Sequence, residues 1–209
     1  MAARIERVVT SGTFSLDGGT WDVDNNVWIV GDDSEVLVID PAHDATRITE
    51  TVAGRTVRAV LLTHGHDDHI RQAQDFAARV AAPLSLHPAD LMLWEAVYPG
   101  TRPDREITDG QRFAVAGTEL VALHTPGHSP GSVSFHAPEL GVVFTGDTLF
   151  QGGPGATGRS YSDFPTIIGS IRDRLLTLPA GTVVHTGHGD STSIGAEAPQ
   201  LAEWIARGH

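Results

Sequence analysis

The sequence predicts an α+β chain, one domain spanning residues 1–209, in which two β-sheets lie face to face with helices outside. Two observations carry this. Apolar or alternating stretches bounded by turn formers are punctuated by amphipathic ones, and the pattern runs through two similar halves. The 209 residues are 40% apolar and 19% charged, which suits one compact unit able to bury a full core.

In chain order, residues 25–30 and 35–40 read as strands of a hairpin around Gly31-Asp32-Asp33-Ser34. Helical periodicity over 45–52 stops at Gly54. The apolar run 57–62 reads as a strand buried on both faces, and it leads directly into Thr63-His64-Gly65-His66-Asp67-Asp68-His69. A helix from about 68 to 81 follows, with Ile70, Phe76, Ala77 and Val80 near one face. Pro83 then marks a short strand at 84–87, and a helix spans 89–97. Segment 98–111, rich in turn formers, is either a plain connection or a mobile rim. Strands recur at 111–115, 119–124, 133–136 and 142–144, with turn signals that suit an antiparallel sheet. Asp163-Phe164-Pro165 opens a helix capped by Ser162 or Asp163, with Ile167, Ile168, Ile171, Leu175 and Leu178 at three- and four-residue spacing. A strand at 183–185 and a helix at 198–207 complete the chain.

Composition narrows the chemistry. A net charge of −12 repels a phosphate backbone, so nucleic acid is not an expected partner. The first ten residues lack an apolar signal core, and no apolar run approaches the ~18–20 residues of a membrane span, so a cytoplasmic protein without membrane partners is expected. All 14 basic residues are arginine, which reflects GC-rich bacterial coding rather than physics. There is no cysteine, so a transition-metal site must be built from imidazole and carboxylate, and 11 histidines are present.

His64 and His66 stand two residues apart at a strand end, so both can point to one side, and Asp68 and His69 fall on the first turn of the following helix. Four metal-competent side chains within six residues can serve two adjacent ions. Three later segments share one grammar: Gly127-His128, Gly146-Asp147 and Gly187-His188 each place a glycine before a ligand at a strand's end, where the backbone turns sharply. The remaining histidines, His43, His87, His124, His136, His185 and His209, lack this grammar and are read as surface or core residues.

At these residues the chain resembles the metallo-β-lactamase superfamily, and its His-x-His-x-Asp-His signature is complete. The resemblance implies a four-layer αββα sandwich of two mixed β-sheets flanked by helices. It also implies that His64, His66 and His128 hold one metal, Asp68, His69 and His188 the other, and that Asp147 bridges both. Within the superfamily, residues 124–132 and Gly146-Asp147-Thr148-Leu149-Phe150 look like glyoxalase II-type thioester hydrolases. Thr186 and Asp190 depart from the prolines usual on either side of Gly-His-Gly. The helical extension that binds glutathione in longer glyoxalase II enzymes is not found, so the resemblance does not extend to glutathione specificity.

The implied reaction is attack of a metal-bound hydroxide on the carbonyl of a small thioester or ester, with Asp68 and Asp147 as catalytic ligands and Asp68 orienting the nucleophile. A thiol of pKa near ~8.5 leaves without a strong general acid, which favours thioesters. Two zinc ions are the expected cofactors, iron and manganese suiting the same donors. Glutathione, mycothiol or another small thiol remain open as carrier, and oligomeric state is not encoded legibly. Asp40 and Asp67 are candidates to orient the ligand histidines. Arg159 and Tyr161 are candidates for substrate binding, Arg159 alternatively pairing with Asp163. Trp94, Tyr98, Arg102 and Arg105 read as packing and solvated charge in preference to a substrate rim. Competing readings are a mononuclear iron persulfide dioxygenase, a lactonase or phosphodiesterase on the same ligands, and a metal-binding module without turnover.

Overall fold

The computed structural model describes residues 2–208, so His209 lies outside the described residues. Strands β1 (Arg4–Leu16) and β2 (Gly19–Gly31) form one long antiparallel hairpin, in register from Arg4↔Gly31 to Leu16↔Gly19. Its turn, Asp17-Gly18, holds both residues at positive φ, 52° and 78°, which lets a two-residue turn follow the strands' right-handed twist. β3 (Glu35–Ile39) pairs with β2, and β4 (Thr56–Leu61), β5 (Leu84–Leu86) and β6 (Arg105–Glu106) add in parallel to complete a six-stranded sheet. Helices α1 (Ala45–Val52), α2 (Asp67–Ile70), α3 (Ala73–Val80) and α4 (Leu91–Val97) lie in its crossovers.

The second sheet begins with β7 (Arg112–Val115), β8 (Thr118–His124), β9 (Val133–Ala137) and β10 (Val142–Gly146). A small ribbon, β11 (Leu149–Phe150) with β12 (Gly153–Pro154), and helix α5 (Phe164–Ser170) then lead to β13 (Val183–Thr186) and β14 (Thr192–Ser193). The order is β14-β13-β10-β9-β8-β7. Because the chain crosses over through α5, β13 runs parallel to β10, so the sheet is mixed, while β7 to β10 pair antiparallel as their turn signals suggested. Helices α6 (Ile194–Glu197) and α7 (Leu201–Arg207) close the chain. No helix among the described residues is long and apolar enough to cross a membrane.

Alternation along β3 shows how the layers form. Val36 and Val38 join a cluster with Ile48 of α1 and Phe76 of α3, whereas Leu37 and Ile39 join Leu120, Phe135 and Phe144 of the opposite sheet. A third cluster packs Val143 and Val184 under Ile167 and Trp204. Three cores between four layers make the αββα sandwich.

Three differences from the sequence reading have identifiable causes. Strand β1 was not foreseen, its run of small and polar residues giving weak alternation. The helix expected over 68–81 is two helices, because the Tyr98 hydroxyl inserts into the ladder. It donates to Ile70 O at 2.7 Å and takes up Gln74 N–H at 3.4 Å, the pair that a continuous helix would join directly. Segment 98–111 is an ordered sheet edge: Arg105–Glu106 pairs with β5, and Asp104 accepts from Leu84 N–H at 2.8 Å.

Candidate metal centre

His64, His66, His128, Asp147 and His188 lie just beyond the C-terminal ends of β4, β8, β10 and β13, and Asp68 and His69 lie on α2 directly after β4, on one edge of the sandwich. The glycines that precede three of them are required by packing between neighbours, a reason more specific than a sharp turn. A Cβ on Gly187 would sit 2.1 Å from Asp147 Oδ1, one on Gly146 2.4 Å from Thr63 Oγ1, and one on Gly127 2.2 Å from the Ile167 backbone nitrogen. Gly127 and Gly146 also hold positive φ, 129° and 50°.

The donor atoms form two groups of three, His64 with His66 and His128, and Asp68 with His69 and His188, the atoms of each within 4.8 Å of one another. Closest approaches are 3.0 Å for His66 Nδ1 to His128 Nε2, and 3.3 Å from His188 Nε2 to both His69 Nε2 and Asp68 Oδ2. Donors about 2.1 Å from a tetrahedral ion stand about 3.4 Å apart, so these spacings suit ligands around an ion. Asp147 faces both groups: Oδ1 is 3.4 Å from His69 Nε2, and Oδ2 is 3.3 Å from His188 Nε2 and 3.6 Å from His128 Nε2. Four buried atoms here, His64 Nε2, His66 Nε2, Asp68 Oδ1 and Asp147 Oδ1, have no hydrogen-bond partner. Buried polar atoms rarely stay unpaired, so the cluster fits divalent ions.

The opposite ring nitrogens are tied down. His69 Nδ1–H donates to Asp40 Oδ2 (2.9 Å), His128 Nδ1–H to Ala156 O (2.9 Å) and His188 Nδ1–H to Asp24 O (2.7 Å). With Nδ1–H donating in this way, each ring in its neutral form presents the Nε2 lone pair to the cluster. Asp40 also accepts from Thr63 N–H at 2.7 Å and Thr63 Oγ–H at 2.6 Å, and Thr63 Oγ1 lies 3.0 Å from His64 Nδ1. With its oxygens so engaged, Asp40 serves as a brace although it clusters with His64 and His69. Asp67 instead accepts from Ser15 N–H (3.0 Å) and Arg71, fastening the β1–β2 hairpin to α2.

Further supports were missed by sequence reading. Asn25 Nδ2–H donates to Asp68 Oδ2 at 3.1 Å, and His43 Nε2–H donates to Asn25 Oδ1 at 2.7 Å. Asn26 Nδ2–H holds Thr186 O (3.0 Å) and Gly189 O (2.9 Å), while Thr186 Oγ–H donates to His188 O at 2.6 Å. Threonine thus organises the His188 loop where proline would supply only stiffness. Asp190 is exposed, 3.7 Å from Arg7. The signal available in the sequence was the Asn25-Asn26 pair, polar residues directly before the apolar run 27–30.

Electrostatics separates the two groups when no ion is bound. Burial holds His64 well below its ordinary pKa and lowers His66 to about 3, keeping both neutral. Burial opposes charge on His69 and His188 too, but the carboxylates outweigh it: His69 is raised well above its usual value by Asp68, Asp147 and Asp40, and His188 to about 10, chiefly by Asp147. Against the same burial, His69 and His188 keep Asp68 down at about 2, and His188 and His69 keep Asp147 well below the carboxylate range. Metal uptake at neutral pH therefore displaces protons from the carboxylate-rich half.

A cleft of about 300 Å³ opens over the cluster. Its far wall is the hairpin tip, Phe14, Leu16, Trp21 and Val23, and the Arg159 guanidinium lies 3.8 Å over the Trp21 ring. Asp17 accepts from Ser160 N–H at 3.0 Å, joining hairpin and loop. Arg159 makes no ion pair among the described residues; Asp163 instead caps α5 by accepting from Thr166 N–H at 2.9 Å. Tyr161 is 54% exposed and outside the lining. Trp94 is buried in the core, and Arg102 and Arg105 lie along another depression. His87 and His124 stack with ring centroids 4.2 Å apart, and His185 packs on Trp28 at 4.2 Å.

A family model described as the metallo-beta-lactamase superfamily matches residues 20–188. The chain belongs to the metallo-β-lactamase superfamily. Among superfamily relatives, it is 33% identical over 189 residues to the probable metallo-hydrolase YqgX of Bacillus subtilis, covering 84% of this chain and 90% of that one. It is also 33% identical over 181 residues to the hydroxyacylglutathione hydrolase GloC of Haemophilus influenzae, covering 79% and 85%. Similar crystal structures include the BLEG-1 B3 metallo-beta-lactamase (TM-score 0.77, 30% identity, 91% and 97% covered) and TTHA1623 in a di-iron-bound form (0.76, 34%, 84% and 93%). ETHE1 from Myxococcus xanthus is a further neighbour (0.73, 25%, 94% and 85%).

Proposed function

We propose that the chain is a dinuclear metal-dependent hydrolase of small thioesters, with His64, His66 and His128 holding one ion, Asp68, His69 and His188 the second, and Asp147 shared. The observation that carries this reading is the Asp147 carboxylate, whose two oxygens face imidazoles of both groups at 3.3 to 3.6 Å. Ions on such donors supply Lewis-acid polarisation and make water acidic enough to act as a nucleophile near neutral pH, and zinc fits the donor set as iron and manganese do.

The surrounding residues favour a good leaving group. Among the described residues, the cleft lining beyond the ligand candidates contains no carboxyl or imidazole, Arg159 being its one other charged side chain. An amide nitrogen must be protonated to depart and no lining residue is placed to do so, whereas a thiol of pKa ~8.5 leaves as thiolate. The apolar hairpin wall excludes water and receives carbon-rich parts of a substrate. Arg159, stacked on Trp21 and without an ion pair among the described residues, is suited to a substrate carboxylate. The likeness to GloC points the same way.

The test is thiol release from a panel of acyl-thioesters that share one acyl group and differ in carrier: glutathione, mycothiol and an uncharged thiol. At least one is expected to turn over. Arg159→Ala is expected to raise KM about tenfold for the glutathione thioester, which bears carboxylates, and to leave the carboxylate-free carriers, mycothiol included, unchanged. Turnover of lactones or phosphodiesters alone, or oxygen uptake with a persulfide on an iron-loaded chain, would overturn the thioester reading.

A further inference from the structure

Asp90 closes the turn between β5 and α4, is 0% exposed, and takes no part in the chemistry above. Its carboxylate grips two loops at once. Oδ2 accepts from Gly65 N–H at 2.8 Å and Ser129 Oγ–H at 2.6 Å, and Oδ1 accepts from Gly131 N–H at 2.6 Å. Gly65 stands between His64 and His66, and Ser129 follows His128 directly, so every segment carrying the all-imidazole group ends on this carboxylate. The approach is close enough to dictate composition. A Cβ on Gly65 would lie 3.1 Å from Asp90 Cβ, and one on Gly131 2.7 Å from Asp90 Cγ.

The other group is held elsewhere: Asp68 by Asn25, His69 by Asp40, and His188 by Asp24 O. It also contains a carboxylate of its own, whereas His64, His66 and His128 are neutral ligands and share only Asp147. A fixed negative charge behind their loops compensates a divalent ion where the group itself has least charge to offer. Burial raises the Asp90 pKa, and the donors from Ser129, Gly131 and Gly65 oppose that rise by stabilising the carboxylate.

We infer that Asp90 is a positioning residue for the His64, His66 and His128 site, a buried carboxylate that staples the two ligand loops so that three imidazoles converge. The inference rests on the two-site reading. It is tested by zinc and cobalt equilibrium dialysis in two single-site backgrounds, His188→Ala, which leaves the all-imidazole site, and His64→Ala, which leaves the other. Asp90→Asn is expected to weaken binding tenfold to a hundredfold in the first background, shifting the visible cobalt spectrum, and less than threefold in the second. Should Asp90→Asn fail to fold, as judged by near-ultraviolet circular dichroism, Ser129→Ala removes one donor and is expected to weaken only the first site, by a few-fold. Equal losses in both backgrounds, or no loss in the first, would overturn the role of Asp90. An unmutated chain that binds no ion would instead remove the two-site reading, and the inference with it.

Discussion

Asp147→Asn is expected to lower metal content from two ions per chain to one or fewer and to reduce hydrolysis by at least about 10³-fold. The substitution preserves shape and removes the charge of a side chain that faces donors from both groups. An amide offers one neutral oxygen in place of two anionic ones, and its NH2 would point at an ion. Removing the shared ligand also leaves two divalent charges close together with less between them, so the loss should exceed that from any single histidine. Elemental analysis and thiol release, measured on one preparation, check both halves. A variant retaining two ions and full turnover would show that Asp147 is no bridge.

Asp40→Asn is expected to destabilise the metal-free protein by about 3 kcal/mol and to weaken metal binding by roughly tenfold to a hundredfold. Asp40 is 2% exposed and accepts from Thr63 N–H, Thr63 Oγ–H and His69 Nδ1–H. It sits at φ 49°, a conformation asparagine tolerates well, so the experiment reads the carboxylate and not backbone strain. Asparagine can satisfy at most part of this set, and its own NH2 then faces donors. Urea unfolding reads the stability change, and competition with a chelator reads affinity. A loss of affinity without loss of stability would place Asp40 in ligand orientation alone; neither effect would remove it from the site.

The candidate ligands were legible because their pattern is short-ranged. Four fall within six residues, and the other three follow glycine at a strand's end, so local chemistry names them without a fold. The two-sheet architecture was legible for a similar reason, since strands such as β3 and β4 are rich in apolar residues. What escaped comes from register. Asn25, Asp24, Phe14 and Trp21 reach the centre only because a long hairpin runs to the cleft, and nothing near them in sequence announces a metal. An available clue was Asp17-Gly18, a two-residue turn signal flanked by alternating residues. Tyr98 shows the converse: its aromatic character suggested packing, but the break in the helix over 68–81 comes from a hydroxyl 28 residues away from the carbonyl that it caps. Long-range hydrogen bonds of this kind overrule local periodicity and cannot be read from it.

Elemental analysis of the unmutated chain, dialysed to equilibrium against excess zinc and then freed of loosely held metal, tests the dinuclear centre most directly. Two ions per chain are predicted, one for each group of three donors about Asp147; saturation at one ion or none would contradict it.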